Sequence, residues 1–322
     1  MRSLALALWL AFAFAAHAPA WAQDWPTRPV RWILPQPTGA SVDIAARVLG
    51  ERLSRVWGQQ VVVDNRPGGQ AVIGAQAAAR AAPDGYNYFF ATTAPLVINP
   101  YTFKSLPYDP VKDFVPVAMI GTAPFVIAVP AAYPAQSLSE LLAQARSQPG
   151  KLAIANQGPR SLGGMISQIL NVSAGVQLLQ VPYNTPAMVV QDTIGGRTQA
   201  LILSTGTLTA SLKRGDLRAL AVTGAKRVAG LEHVPAVGET IKGFDYGGWY
   251  ALLAPAGAPA GILRKVNRDV DRVLAEPEIV QRLREFGIYT EGAGTPEALG
   301  RFLQDERARW SRTVREIGME RE

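Results

Sequence analysis

Cysteine is absent from the 322 residues, and histidine occurs only twice, as His17 and His233. The first absence excludes disulfides, thiolate metal sites and lipid attachment at a cysteine, so packing alone must stabilise the fold. The second leaves little room for familiar catalysis. A Ser-His-Asp triad would have to recruit His233, in the loop Leu231-Glu232-His233-Val234-Pro235, and no Gly-x-Ser-x-Gly elbow accompanies it. A zinc site would rest mostly on carboxylates, an unusual donor set. The formal charge is +7, yet no run of Lys and Arg is interleaved with aromatics, so nucleic acid is not the expected partner. No metal and no cofactor are expected; catalysis by carboxylates, lysine or tyrosine stays open on composition alone, and the chain read as a whole is expected not to be an enzyme.

Long apolar runs are missing after residue 16, and the one that exists is an address. Met1-Arg2 supplies a positive start, Leu4 to Ala16 is uncharged and apolar, and Ala20-Trp21-Ala22 fits a small-x-small cleavage site. Residues 1–22 are therefore expected to be a signal peptide, removed before Gln23, with a periplasmic destination. The run is short for a membrane span and is followed by Pro19. The remaining chain is long enough for two domains.

What is present is alternation. Val30 to Leu34 has the composition of a strand buried on both faces, and Pro35-Gln36-Pro37-Thr38-Gly39-Ala40 reads as the turn that ends it. Ser41 is expected to cap the helix that follows, with apolar residues at Ile44, Ala45, Val48, Leu49 and Leu53. Strands are expected at Gln60–Asp64 and Tyr86–Thr92, with a helix over Ala71–Ala82 between them. Phe114–Ile120 and Phe125–Val129 read as extended segments separated by Gly121-Thr122-Ala123-Pro124. The pattern then restarts, with strands at Leu152–Ala155, Leu178–Val181, Ala200–Leu203 and Leu217–Thr223. An irregular stretch over Gly224–Gly248 precedes an extended Trp249–Ala254. Three helices close the chain and are expected to pack back on the first sheet. This βαβ order predicts an α/β protein with mainly parallel, doubly wound sheets and helices on both faces.

Polar loops fall after strands in both halves, where open α/β sheets place ligands. Thr38, Gly39, Ser41, Thr92 and Thr93 lie in the first half. Gln157, Gly158, Arg160, Ser161, Tyr183, Thr185, Ser204 and Thr205 lie in the second. If the sheets face each other, these loops converge on one cleft, and hydroxyl and amide donors suit a carboxylate. Arg160 offers a two-pronged partner for a second carboxylate, or else a solvated charge beside the cleft.

Several runs together resemble one family. They are Trp25-Pro26-Thr27-Arg28-Pro29-Val30-Arg31, Pro35-x-Pro37-x-Gly39-x-Ser41-x-Asp43 and Val62-Val63-Asp64-Asn65-Arg66-Pro67-Gly68-Gly69. Ala82-Pro83-Asp84-Gly85-Tyr86, Leu106-Pro107-Tyr108-Asp109-Pro110-Val111-Lys112-Asp113-Phe114, Val181-Pro182-Tyr183, Leu217-Arg218-Ala219-Leu220-Ala221-Val222-Thr223 and Leu253-Ala254-Pro255-Ala256-Gly257 continue it. The chain resembles the substrate-binding receptors of tripartite tricarboxylate transporters, also called Bordetella uptake gene receptors.

That resemblance implies a type II periplasmic-binding-protein fold. Its first domain would hold residues 23–122 and 247–322, and its second 123–246. It implies a small organic acid bound at Pro37, Gly39, Ala40 and Ser41, with two membrane subunits as partners and a monomeric receptor. Departures bear on the ligand. Gly39-Ala40 stands where two glycines are frequent, and Ser204 stands where many members carry Asp, which disfavours an ammonium-bearing ligand. Two other classes remain open. A sensor would pass its signal to a membrane kinase, and a carboxylate-based hydrolase or lyase would have Asp43 as its nearest acid, a residue expected to be structural.

Overall fold

The computed structural model describes residues 25–322, and the expected signal peptide lies outside the described residues. The first sheet runs β2 (Val61–Asn65), β1 (Val30–Leu34), β3 (Asn87–Thr92), β10 (Gly248–Pro255), β4 (Phe114–Ala123). The second runs β7 (Leu179–Pro182), β6 (Ala153–Asn156), β8 (Ala200–Ser204), β5 (Phe125–Pro130), β9 (Leu217–Val222). The helices of the first lobe are α1 (Ser41–Trp57), α2 (Val72–Ala79) and α3 (Asn99–Thr102). The second lobe carries α4 (Leu138–Ser147), α5 (Leu162–Ala174), α6 (Pro186–Ile194), α7 (Thr205–Arg214) and α8 (Val237–Thr240). Then α9 (Ala260–Leu274), α10 (Pro277–Glu285) and α11 (Pro296–Glu316) return to the first sheet, as expected.

Both sheets repeat one order, and both are mixed rather than purely parallel. β10 runs antiparallel to β3 and β4, and β5 runs antiparallel to β8 and β9. The physical reason is that each of these strands enters from the other lobe and must run away from the crossing. Only Pro124 separates β4 from β5, so the expected Gly121–Pro124 spacer is mostly strand. The expected helix over Ala71–Ala82 is shorter: it starts at Val72, because Gln70 and Ala71 have positive φ and hold a tight turn, and it ends at Ala79, ahead of Pro83.

Successive side chains of a strand point to opposite faces, and here both faces are covered. Val30, Trp32 and Leu34 of β1 pack with Tyr88 and Phe90 of β3 on one face, against α1, α9 and α10. Ile33, Phe89 and Ala91 point to the other face. In the second sheet, Val126 and Ala128 join Leu201 and Leu203, while Ile127 and Val129 join Ala200 and Ile202. Ile33 and Ile202 belong to one continuous apolar cluster, so the two lobes share a core beside the crossings.

One close approach fixes how α2 sits on β1. A Cβ added at Gly74 would lie 2.6 Å from Pro35 Cα and 2.9 Å from the Arg66 carbonyl oxygen. We expect Gly74→Ala to destabilise the protein by about 1–3 kcal/mol through overpacking. Gly261→Ala, where an added Cβ meets nothing within 4 Å, should be neutral or stabilising in the same urea titration.

Candidate functional site

The two crossings decide where the loops go. Tyr250 near the start of β10 pairs with Thr92 at the end of β3, and Phe125 at the start of β5 pairs with Ser204 at the end of β8. The C-terminal ends of β1, β3, β6 and β8 therefore face the crossings, and their loops open toward the space between the lobes. Thr38–Ser41, Thr92–Thr93, Gln157–Ser161 and Ser204–Thr205 all lie in these loops. Tyr183 and Thr185 follow the edge strand β7.

The first loop is held from below. Asp43, 2 % exposed, accepts the Gly39 amide at 2.9 Å, Asn65 Nδ2 at 3.0 Å and the Arg47 Nε at 3.0–3.1 Å. Asn65 also donates to the Gln36 carbonyl at 3.0 Å. Burial raises the Asp43 pKa, but the hydrogen bonds from Arg47, Gly39 and Asn65 and the charge on Arg47 outweigh it, holding the carboxyl below its ordinary value. Asp43 is thus a clamp on the loop, with its oxygens already engaged. It is not placed as a free acid.

Ser41 does not cap α1. Ala40 occupies the N-cap position and provides no side-chain bond, and Ser41 is the first helical residue. Its hydroxyl instead meets the Tyr250 hydroxyl at 2.7 Å. Burial pushes Tyr250 up to about 12, against the lowering effect of the Ser41 hydrogen bond, so the phenol stays protonated at neutral pH. The first-turn amides of α1 are left without a side-chain acceptor.

The same is true of α7. Ser204 occupies its N-cap without capping, because its hydroxyl is shared with Thr207 at 2.9 Å. A Cβ added at Gly206 would overlap the Phe286 carbonyl oxygen and lie 3.4 Å from Ser41 Cβ. The two uncapped helix starts therefore stand side by side, one from each lobe.

Other expected residues are spent on structure. Ser161 caps α5, accepting from Gly164 N at 3.1 Å and donating to the Gly158 carbonyl at 2.7 Å. Thr185 caps α6, and the Tyr183 hydroxyl donates to Asp192 at 2.9 Å. Thr205 shares its hydroxyl proton between the Pro124 and Gly287 carbonyls at 3.1 and 3.0 Å, tying the lobes beside the crossing. Thr93 Oγ1 accepts the Trp249 amide at 3.0 Å. Thr92 differs, because its hydroxyl oxygen is buried with no partner in the protein. Pro37, Thr38, Gly39 and Gln157 are exposed and Ala40 is half-buried, whereas Gly158 is buried.

Arg160 is held by the C-terminal tail. Its guanidinium pairs with the Glu322 carboxylate at 3.0 Å and donates to the Glu320 carbonyl at 3.1 Å. The tail is bound to the first lobe through Glu322 N to Thr102 O at 3.1 Å and Lys104 N to Glu322 O at 2.7 Å. The tail therefore links the lobes through Arg160. Sequence alone hid this contact, since it joins residues 160 positions apart. Tyr250 and Asn65 were also missed as site residues. Asn65 lay inside a motif, but Tyr250 sat in an apolar strand with no polar signal around it.

Among the described residues no cluster of His, Cys, Asp and Glu could hold a metal ion, and no helix is long and apolar enough to cross a membrane. Two lobes of repeated topology, joined by two crossings with donor-rich loops turned inward, define a two-lobed solute-binding protein. The chain belongs to the tripartite tricarboxylate transporter receptor family: the model described as "Tripartite tricarboxylate transporter family receptor" matches residues 45–319. It is accordingly a substrate-binding receptor and not an enzyme.

Protein BugT of Bordetella pertussis is 33% identical over 94% of this chain and 93% of its own. A protein of Pseudomonas sp. (strain P51), the UPF0065 protein in the tcbD-tcbE intergenic region, is 35% identical over 90% of this chain and 86% of its own. The solved structure of R. palustris Rpa4515 with adipate superposes with a TM-score of 0.87 at 32% identity, covering 93% of this chain and 100% of that one. MatC from Rhodopseudomonas palustris with bound malate gives 0.80 at 26% identity, covering 90% and 100%.

Two predictions follow the clamp and the tail. Asp43→Asn should cost about 1–3 kcal/mol at neutral pH, the range for removing one partner of a buried hydrogen-bonded group. The folded-state value of Asp43 is depressed, so its contribution is present above the unfolded carboxylate pKa of about 3.9 and fades as pH falls through the folded value. The gap between wild type and variant in urea unfolding should shrink from pH 7 to pH 3. Glu322→Gln should leave the melting temperature almost unchanged, because a partly exposed ion pair is worth at most about 1 kcal/mol. It should nevertheless speed amide hydrogen exchange in residues 157–161.

Proposed function

We propose that this chain captures a small organic carboxylate between its lobes in the periplasm and delivers it to the membrane subunits of a tripartite transporter. The observation that carries the proposal is the pair of uncapped helix starts, α1 and α7, brought together at Ser41 and Gly206. Neither has a side-chain cap, although the Thr205 amide of α7 already donates to the Pro124 carbonyl at 2.9 Å, and both turn the positive end of a helix dipole to a carboxylate placed between them. Burying such an anion is favourable only if its oxygens stay hydrogen-bonded. The Ser41–Tyr250 hydroxyl pair and the unpartnered Thr92 hydroxyl add neutral donors beside the same strand ends.

The net charge, +7 for the full chain and one less once Arg2 leaves with the signal peptide, favours encounter with an anion over one with a cation. Dicarboxylates are the first class to try, since Rpa4515 is described with adipate and MatC with malate. The lobes are assigned as 23–122 with 247–322 and as 123–246, the receptor acts as a monomer, and the signal peptide is removed before Gln23. In this reading Arg160 serves the tail contact, with Pro37, Thr38, Gly39, Ala40 and Ser41 nearest the ligand.

Calorimetry with C4–C6 dicarboxylates should show a dissociation constant on the order of micromolar, equivalent to about −8 kcal/mol. Ser41→Asp, which sets a competing carboxylate at the start of α1, should weaken that binding at least tenfold while the melting temperature stays within a few degrees, since an acidic residue suits a helix N-terminus. Failure of every carboxylate in a broad panel to bind the folded protein would rule the reading out. Delivery is checked separately, by ligand uptake into vesicles carrying the two membrane subunits with and without this receptor.

A further inference from the structure

The segment that follows α11 is shaped to reach the second lobe. Gly318 ends the helix in the left-handed conformation, φ +64, and the Gly318 and Met319 amides close onto the Arg315 and Val314 carbonyls, each at 3.1 Å. Beyond that turn Met319 packs against the apolar cluster that the lobes share. The Glu322 amide and carbonyl then bond to Thr102 and Lys104, on either side of Phe103, and Arg321 Nε donates to the Tyr101 carbonyl at 3.3 Å. The backbone of the tail is therefore fixed to the first lobe, while the Glu322 carboxylate and the Glu320 carbonyl meet Arg160 of the second.

Arg160 is unfavourably placed for a charge without that tail. It directly precedes Ser161, the N-cap of α5, where the helix dipole disfavours a cation. Its side chain is 22 % exposed, and its Nε is buried with no partner in the protein. A guanidinium held there needs a carboxylate against it, and Glu322 supplies one. Separated from Glu322, Arg160 regains hydration by turning outward. The Gln157–Ser161 loop then keeps only its own turn, in which Gly158 donates to Asn156 Oδ1 at 2.8 Å and accepts from the Ser161 hydroxyl.

We infer that Arg160 and Glu322 form a latch that holds the lobes in the arrangement where the starts of α1 and α7 meet, and so sets how long a captured ligand stays. Neither residue lies on a crossing strand, so a change in the angle between the lobes separates them. The contact stabilises the closed arrangement alone, and an open one gains nothing from it. An ion pair of this exposure shifts such an equilibrium by at most about fivefold, which prolongs residence without preventing release. The consequence for ligand rests on the capture reading above; the latch itself does not.

The lack of cysteine permits a ligand-free test in the protein comprising residues 23–322. Spin labels at Ser105→Cys, exposed on the first lobe, and Ser173→Cys, exposed at the far end of α5 from Arg160, report the separation of the lobes by electron–electron resonance. Glu322→Gln and Arg160→Gln should each enlarge a longer-distance population about two- to fivefold, with melting temperatures within a few degrees of the parent. The double variant should go no further than either single one, because both remove the same contact. Distances unchanged in both single variants, or effects that add in the double variant, overturn the inference. For ligand the probe is adipate, whose dissociation rate should rise by the same factor in each single variant and no further in the double. Additive losses there would place Arg160 on the ligand itself and likewise overturn the latch. Failure of adipate to bind the parent bears on the ligand assignment alone, and the ligand-free distances then decide.

Discussion

The antiparallel strands β10 and β5 are the constraint from which the site is built. Each enters its sheet from the other lobe, and its pairing register sets the parallel strands pointing back toward the place it came from. Tyr250 opposite Thr92 and Phe125 opposite Ser204 are the two registers that do this. A one-residue slip in either would move every side chain to the opposite face, where a differently shaped core resists it. Loop convergence is therefore a consequence of core packing. The site inherits its geometry from strands buried on both faces, such as Val30–Leu34 and Phe125–Pro130.

Within that frame the distribution of hydroxyls separates scaffold from binding surface. Ser161, Thr185, Thr93 and Thr205 all complete local hydrogen bonds, and each fixes a turn, a helix start or the crossing. Of the helix starts that no side chain caps, α1 and α7 meet across the lobes. Satisfying most of these loops internally lowers the number of donors a ligand must compete for. The Asp43–Asn65–Arg47 network has the same logic one step further back. It spends a buried carboxylate on holding the loop backbone, and the loop can then offer amides without changing shape.

The alternation of strands and helices was legible along the chain because β1, β3, β5 and β8 are short, nearly continuous apolar runs bounded by turn residues, as strands buried on both faces are. The recognisable runs carried the family, and Asn65 within one of them turns out to pin the loop formed by another. The return of α9, α10 and α11 to the first sheet was also legible, since three amphipathic helices without strands of their own need an existing face to cover. Less legible were the strand directions of β5 and β10, which composition cannot encode, and the capping roles. Ser41 looks like a cap in sequence because its type and position suit one; in the fold Tyr250, 209 positions away, takes its hydroxyl.

By itself the sequence determined the class of fold, the absence of cysteine chemistry and the positions of the donor-rich turns, because these depend on local composition and on periodicities within a dozen residues. Tertiary structure decided which donors remain free. That choice rests on contacts between distant segments: Glu322 with Arg160, Gly206 with Ser41, Gly287 with Thr205. A hydrogen-bonding group has a fixed capacity, and only the folded chain shows what has already used it.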